Sequence, residues 1–278
     1  MLRTTVILLH SKLTTYRTTP AVNCILILHR IRKASHAEAG QADIIVITAG
    51  APQKKGESRT DLVGKNLKIL SSVINDMKPF NDAAILLLVA NPVDILTHFA
   101  VEFSGLPKAQ VIGSGTFLDS ARLRGILAEK AGVAASSIDA YVLGEHGESQ
   151  VTAWSSAVIG VIPLDQVVSV SDKDREAIAK DAKDKATAIM EAKGATNYGI
   201  GGVASSICKS LLFDERIVRP VSHHVEEYGC CLSMPAIIGR KGILKTLKMP
   251  LSEEEKKAVD KSAKAMLDII KDAQKDQR

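Results

Sequence analysis

The sequence predicts an α/β protein, with a parallel sheet followed by an α+β half. Three observations carry this. From about residue 42, short apolar runs recur at 43–48 ("DIIVIT"), 83–91 ("AAILLLVAN"), 110–113 ("QVIG") and 140–144 ("AYVLG"). Helix-like stretches at 61–78, 94–104 and 119–132 lie between them. After about residue 151 the alternation gives way to a long amphipathic helix, a strand pair and a terminal helix.

Each element has a local reason. The run 43–48 is rich in β-branched residues and ends in "AGAP", and the run 83–91 is stopped by Pro92. None of the runs alternates with polar residues, so each strand must be buried on both faces, as in a parallel sheet covered by helices. "SDKDREAIAKDAKDKATAIMEAKG" reads as a helix with Gly194 just past its end. "VRPVSHHVEE" and "CCLSMPAIIG" read as antiparallel strands around a turn at Tyr228–Gly229. The last segment opens with a capping box from Ser252 to Glu255 and carries Val259, Ala263, Met266 and Ile270 at helical spacing. The expected organisation is an atypical basic head over 1–40, a partial dinucleotide-binding domain over 41–144 and an α+β catalytic and substrate domain over 145–278. There is no internal repeat.

Composition narrows the function classes. With 278 residues, 46% hydrophobic and 24% charged, the chain can bury a substantial core. No apolar run approaches the ~18 residues of a membrane helix. The net charge of +5 resides in the head: residues 1–40 hold Arg3, Lys12, Arg17, Arg30, Arg32 and Lys33 against one acid, Glu38. Removing these from 36 basic and 31 acidic residues leaves 30 of each. A neutral body with 4% aromatics has neither the basic footprint nor the stacking platform of a nucleic-acid binder. Cys24, Cys208, Cys230 and Cys231 show no CxxC spacing, so they read as ordinary thiols, with neither a metal site nor a disulfide framework indicated.

Ligands of open parallel sheets bind beyond the carboxyl ends of the strands. Those ends here lead to Gly50-Ala51-Pro52-Gln53 and on to Arg59, to Asn91, through "GSGT" to Asp119 and Arg122, and to His146. His146 stands in "LGEHGES" between Gly144 and Gly147 with Glu145 and Glu148 beside it, and is expected to be a bare ring. A histidine exchanges a proton near neutral pH, and a carboxylate on its other nitrogen fixes the tautomer and favours the protonated form. Asp119 is the candidate for that partner. Arg122, three residues on along the same helical face, offers a fork for a substrate carboxylate. Arg59, on a loop after Gly50 and Gly56, is placed to close over a substrate and polarise a carbonyl. Together these groups suit a small acid carrying an adjacent hydroxyl or keto group. The other reading of His146 alone is a satisfied structural histidine. His223 and His224 are expected at the surface.

From about residue 31 onward the chain resembles the NAD-dependent L-2-hydroxyacid dehydrogenases, and within them the L-lactate dehydrogenases. The resemblance rests on "ITAGAPQKKGESR", "VANPVD", "VIGSGTFLDSARLR", "LGEHGES" and "KGATNYGIGG", in that order. It implies a truncated Rossmann-like sheet followed by an α+β substrate domain. It implies that His146 is the proton donor and acceptor, with Asp119 as its partner, and that Arg122 holds the substrate carboxylate. Arg59 becomes the mobile-loop arginine, Asn91 reaches both substrate and nicotinamide, and Thr196 lines the substrate pocket. The implied reaction interconverts L-lactate and pyruvate with NAD, in a cytoplasmic homotetramer. Gln53 discriminates between close relatives, because malate dehydrogenases of the superfamily place an arginine there. A neutral glutamine suits the methyl of pyruvate and leaves a dicarboxylate's extra charge unpaired, an effect on the order of 2–5 kcal/mol. Pro52 departs slightly toward the malate pattern, and Glu148 stands where the family usually has a shorter Asp or Asn.

A dinucleotide fold should open with a strand, GxGxxG, a helix and then an acid for the ribose. Residues 1–40 contain a single glycine, Gly40, and no such unit. "GIGGVA" (199–204) fits the pattern only formally, because it follows a helix and a polar loop. It is expected to be a turn entering the next helix, and "GSG" (113–115) a strand-to-helix turn. The remaining cofactor contacts would belong to the nicotinamide end: Gly50, Ala51, Val89, Asn91 and Ser114. The head is rich in Arg, Ser and Thr and nearly free of acids, which suits either a mitochondrial transit segment or a displaced start. Its run "CILIL" is a candidate substitute edge strand. Two other activities stay open at this level: a malate or other L-2-hydroxyacid dehydrogenase, and a subunit that folds but binds no dinucleotide.

Overall fold

The computed structural model describes residues 6–9, 34–51, 59–194 and 196–275, with the backbone alone for 6–9, 59 and 60. A seven-stranded sheet runs in the order Val6–Leu9, Ile44–Ile47, Ile85–Leu88, Val111–Gly113, Ile217–Val225, Cys230–Gly239, Gly242–Thr246. The second to fourth strands are parallel, with Ile45 opposite Leu86 and Leu87 opposite Ile112.

The lack of polar alternation in the strands has its explanation in two apolar layers. Ile45, Ile47, Leu86 and Leu88 face one side, against Leu67, Leu70 and Ile74 of the Arg59–Met77 helix, Phe99 of the Val93–Ser104 helix and Met266 of the Glu253–Lys275 helix. Ile44, Val46, Ile85 and Leu87 face the other, against Phe117, Val203, Ile207 and Leu211. Every one of these strand side chains is buried. At about 25 cal/mol per Å² of apolar surface, each contributes roughly 1.5–3 kcal/mol to the folded state.

The expected helices form at Arg59–Met77, Val93–Ser104, Phe117–Ala131 and Asp172–Lys193. The last ends where Gly194 adopts a left-handed φ of 74° and its N–H donates to the Met190 carbonyl. The terminal helix opens with the expected capping box: the Glu255 N–H donates to Ser252 Oγ at 3.2 Å, and the Ser252 N–H to Glu255 Oε2 at 3.0 Å. Among the described residues no helix is long and apolar enough to cross a membrane.

Four expectations are corrected. "AYVLG" does not join the parallel sheet. Only Val142–Leu143 is strand, paired antiparallel with Val151–Thr152. The place beside Val111–Gly113 is taken instead by Ile217–Val225, through Ser222 opposite Gly113, so the strand pair of the second half extends the sheet of the first. "GIGGVA" is no turn, because residues 199–204 lie inside the Tyr198–Leu212 helix. His223 is buried rather than superficial: one nitrogen lies 2.9 Å from the Val221 carbonyl and the other 2.8 Å from Thr246 Oγ1. His224 beside it is half-buried, because this strand is internal to the sheet. The "CILIL" run lies outside the described residues, and the strand that caps the sheet edge is Val6–Leu9, antiparallel to Ile44–Ile47.

Candidate active site

The site begins with the way its loop is hung. Gly144 exchanges two 2.9 Å backbone hydrogen bonds with Ser233 of the Cys230–Gly239 strand. Its φ is +85°, and a Cβ there would come within 2.8 Å of Ser262 Oγ, so only glycine fits the turn. Ser262 Oγ accepts from the Glu145 N–H at 2.9 Å and contacts Ser149 Oγ at 2.9 Å. The terminal helix therefore clamps the start of the loop. The His146 N–H donates to Asp94 Oδ2 at 2.7 Å, which clamps its middle.

The Phe117–Ala131 helix brings the partners. Thr116 Oγ1 donates to the Val142 carbonyl, and the Val142 N–H donates to Ser120 Oγ at 2.9 Å, so this helix and the loop's strand are fastened together. From the first turn of the same helix, the buried Asp119 Oδ2 lies 2.7 Å from His146 Nδ1. Arg122 Nη1 lies 3.4 Å from Asp119 Oδ1. The Asp119 side chain is 2% exposed, Arg122 14% and His146 27%. The ring is therefore not bare. Glu145 turns inward, where it accepts from Ser149 Oγ at 2.6 Å, and Glu148 pairs outward with Lys183 at 2.8 Å. The glycines shape the loop, and the acids beside His146 are engaged elsewhere.

Burial is the largest single influence on the His146 ring and pushes its pKa down. The hydrogen bond and charge of Asp119 and the charge of Asp94 push it up and together win, against a small opposing effect of Arg122, so the ring holds its proton above the ordinary histidine range. Asp94 is itself raised by complete burial, against the Ser222 hydroxyl and the His146 amide beside it.

Arg122 and Thr196 line one cleft of about 300 Å³, with Leu118, Tyr198 and Ile200 in its walls. The expected cofactor residues stand at the ends of three adjacent parallel strands. Ala51 and Asn91 are tied together by a residue that motif reading missed, Asn66 of the Arg59–Met77 helix. Its Oδ1 accepts from the Ala51 N–H at 2.7 Å, and its Nδ2 donates to the Asn91 carbonyl at 2.8 Å and the Ala51 carbonyl at 3.3 Å. The Ser114 N–H donates to the Leu88 carbonyl at 2.8 Å. A Cβ on Gly50 would come within 3.0 Å of the Ala90 Cβ. Val89 is half-buried at the same sheet end. A glycine-lined shelf with buried amide ties at a sheet's carboxyl edge fits the nicotinamide end of a dinucleotide. Gln53 lies outside the described residues, and of Arg59 only the backbone, at the start of its helix, is described.

An aspartate-backed histidine beside a half-buried arginine is the equipment of a protein that holds a small acid by its carboxylate and exchanges a proton with it. Comparison with known proteins gives the family. Residues 23–113 match the NAD binding domain of lactate/malate dehydrogenase and residues 116–277 its alpha/beta C-terminal domain. The chain belongs to the lactate/malate dehydrogenase family. It is 48% identical over 239 residues to L-lactate dehydrogenase A of Rhizopus oryzae, covering 86% of this chain and 75% of that one. It is 44% identical over 249 residues to an L-lactate dehydrogenase of Latilactobacillus sakei, covering 87% and 77%. The solved structure of a lactate dehydrogenase from a Medee basin deep-sea metagenome library superposes with a TM-score of 0.83 at 33% identity, over 87% of this chain and 80% of that one.

Proposed function

We propose that His146, Asp119 and Arg122 carry out the proton and substrate handling of this oxidoreductase. The enzyme interconverts L-lactate and pyruvate with NAD. When bound, NAD supplies or accepts the hydride, and Gly50, Ala51, Val89, Asn91 and Ser114 would hold its nicotinamide end. Arg122 anchors the substrate carboxylate, and Thr196 lines the far wall of the same cleft. Orientation by such an anchor is worth several kcal/mol of barrier where it holds the reacting atoms in line. His146 Nε2 gives its proton to the carbonyl oxygen of pyruvate and takes it back from lactate, while Asp119 fixes the tautomer through Nδ1. Arg59, at the N-terminal end of its helix, polarises the substrate carbonyl, and Gln53 selects a methyl over a second carboxylate. Functionally, 41–144 supplies the strand ends and 145–278 the histidine loop and cleft wall, behind the basic head 1–40. The protein acts on small molecules, as a cytoplasmic homo-oligomer of four chains.

The observation that carries this reading is the 2.7 Å contact between His146 Nδ1 and Asp119 Oδ2 beside the Arg122 guanidinium. Two measurements test it. NADH fluorescence is titrated with the intact protein, and oxidation of NADH is followed with pyruvate and with oxaloacetate. Saturable binding and faster turnover of pyruvate are expected. Absence of binding at millimolar NADH overturns the enzymatic reading, and preference for oxaloacetate overturns the assignment of Gln53.

A further inference from the structure

One turn beyond Asp94 and on the same face of its helix, a second cluster forms from three residues distant in sequence: His98 of the Val93–Ser104 helix, His224 of the Ile217–Val225 strand and Cys231 of the Cys230–Gly239 strand. One nitrogen from each ring and the thiol sulfur lie within 4.8 Å of one another. His224 and Cys231 face each other across the antiparallel pair, being register partners, and His98 packs over them from the helix. Sequence spacing shows no ligand set because the three come from three different elements.

We propose that His98, His224 and Cys231 form a binding site for one borderline divalent cation of the zinc(II) class. Imidazole with thiolate is the donor set that zinc prefers, and three protein ligands leave a fourth position for water. Bonds of about 2.0–2.3 Å in a tetrahedron bring ligand atoms to within about 3.3–3.7 Å of each other, so closure needs side-chain rotation of about 1 Å and no backbone change.

The surroundings supply what such a site needs. His98 Nδ1 is buried without a hydrogen-bond partner. His98 Nε2 lies 3.6 Å from Glu102 Oε1, near enough for that carboxylate to serve as the outer partner of Nε2 once a cation takes Nδ1. His224 Nε2 lies 2.9 Å from Lys108 Nζ and 3.4 Å from Glu226 Oε2. Lys108 is also 3.0 Å from Glu226, so the ammonium keeps a partner when a cation takes the rings. Cys231 is fully buried and free. Binding replaces the thiol proton by the metal: the S–H bond breaks, the proton leaves to solvent and the Zn–S bond forms, so affinity rises with pH. Without a cation, the same residues are a stacked histidine pair, with ring centroids 6.5 Å apart, over a buried thiol.

The test is a titration of metal-free protein with cobalt(II), read in the near ultraviolet, followed by displacement with zinc(II). One equivalent should bind with a thiolate-to-cobalt charge-transfer band. The band should vanish in Cys231→Ser, persist in Cys230→Ser, and require at least about tenfold more metal in His98→Gln and in His224→Gln. Thermal unfolding shows that each variant is folded. Should Cys231→Ser not fold, loss of the charge-transfer band in the apolar variant Cys231→Ala, with the band kept in Cys230→Ala, reads the same contact. Cobalt binding without the thiolate band, or a band that survives Cys231→Ser, overturns the proposal. So does the absence of stoichiometric binding, which leaves the cluster a packing arrangement.

Discussion

Asp119 Oδ2 stands 2.7 Å from His146 Nδ1 while Asp119 Oδ1 stands 3.4 Å from the Arg122 guanidinium. One buried carboxylate thus serves both groups, orienting the ring with one oxygen and leaning on the Arg122 guanidinium with the other. Replacing Asp119 by Asn keeps the shape but removes the charge and permits the wrong tautomer. Turnover of pyruvate should drop by about 10²–10⁴-fold, the usual range for losing positioned acid–base chemistry. The pH profile carries the sign. Pyruvate reduction needs protonated His146, whose pKa is raised, so the rate falls as pH climbs through that value. In Asp119→Asn the fall should move to lower pH; a profile left in place counts against the assignment.

Arg122 is expected to act on binding as well as rate. Arg122→Gln removes the fork, and kcat/KM for pyruvate should lose about 2–5 kcal/mol of transition-state stabilisation. Arg122→Lys should recover little of it, because a point charge cannot make two parallel bonds to a carboxylate. Full recovery by lysine would show that charge alone suffices there.

Gln53→Arg tests the specificity reading, with steady-state rates on pyruvate and oxaloacetate as the measurement. The added guanidinium offers the second carboxylate of oxaloacetate a partner, and the preference should shift toward it by one to two orders of magnitude, roughly the worth of one charge-assisted contact. No shift removes this residue from the substrate pocket.

Asn66 should matter to the cofactor although it reaches no catalytic group. Asn66→Leu leaves the Ala51 N–H and the Ala51 and Asn91 carbonyls without their side-chain partner, at about 1–3 kcal/mol for each buried group left unsatisfied. Weaker NADH binding in a fluorescence titration is expected, with a lower Tm and little change in kcat at saturating cofactor. A variant that loses stability but binds NADH normally would confine Asn66 to folding.

Burial drives the pKa of His223 down to about 4 in the folded protein, while the unfolded chain takes its proton near 6.5. The unfolded state then binds more protons between these values, so stability is intact above pH 6.5 and declines as pH falls toward 4. At pH 5 the loss is about 2 kcal/mol from this residue. Urea unfolding should show lower stability at pH 5 than at pH 7, and His223→Gln should shrink the gap by about that amount.

The strands and helices were legible because their signals are local. The unbroken apolar runs at 43–48 and 83–91 declare strands buried on both faces, and Ser252, Glu255 and Gly194 punctuate helices through backbone bonds within one turn. The candidate site was legible differently: "LGEHGES" and "FLDSARLR" pointed to His146, Asp119 and Arg122, whose side chains the structure brings together, and the i, i+3 spacing places the last two on one face. What the chain order does not contain is which strand pairs with which. "AYVLG" looks like another parallel strand, yet the edge beside Val111–Gly113 goes to Ile217–Val225, a choice made by long-range packing against the Cys230–Gly239 strand. The same choice buried His223, gathered His224 and Cys231 beneath His98, and gave Gly144 its bridge to Ser233. Propensity and periodicity act within about ten residues, so the sequence alone determined the elements and the chemical groups. Only the tertiary structure, where distant segments compete for the same hydrogen-bonding edge and the same dry interior, decided their neighbours.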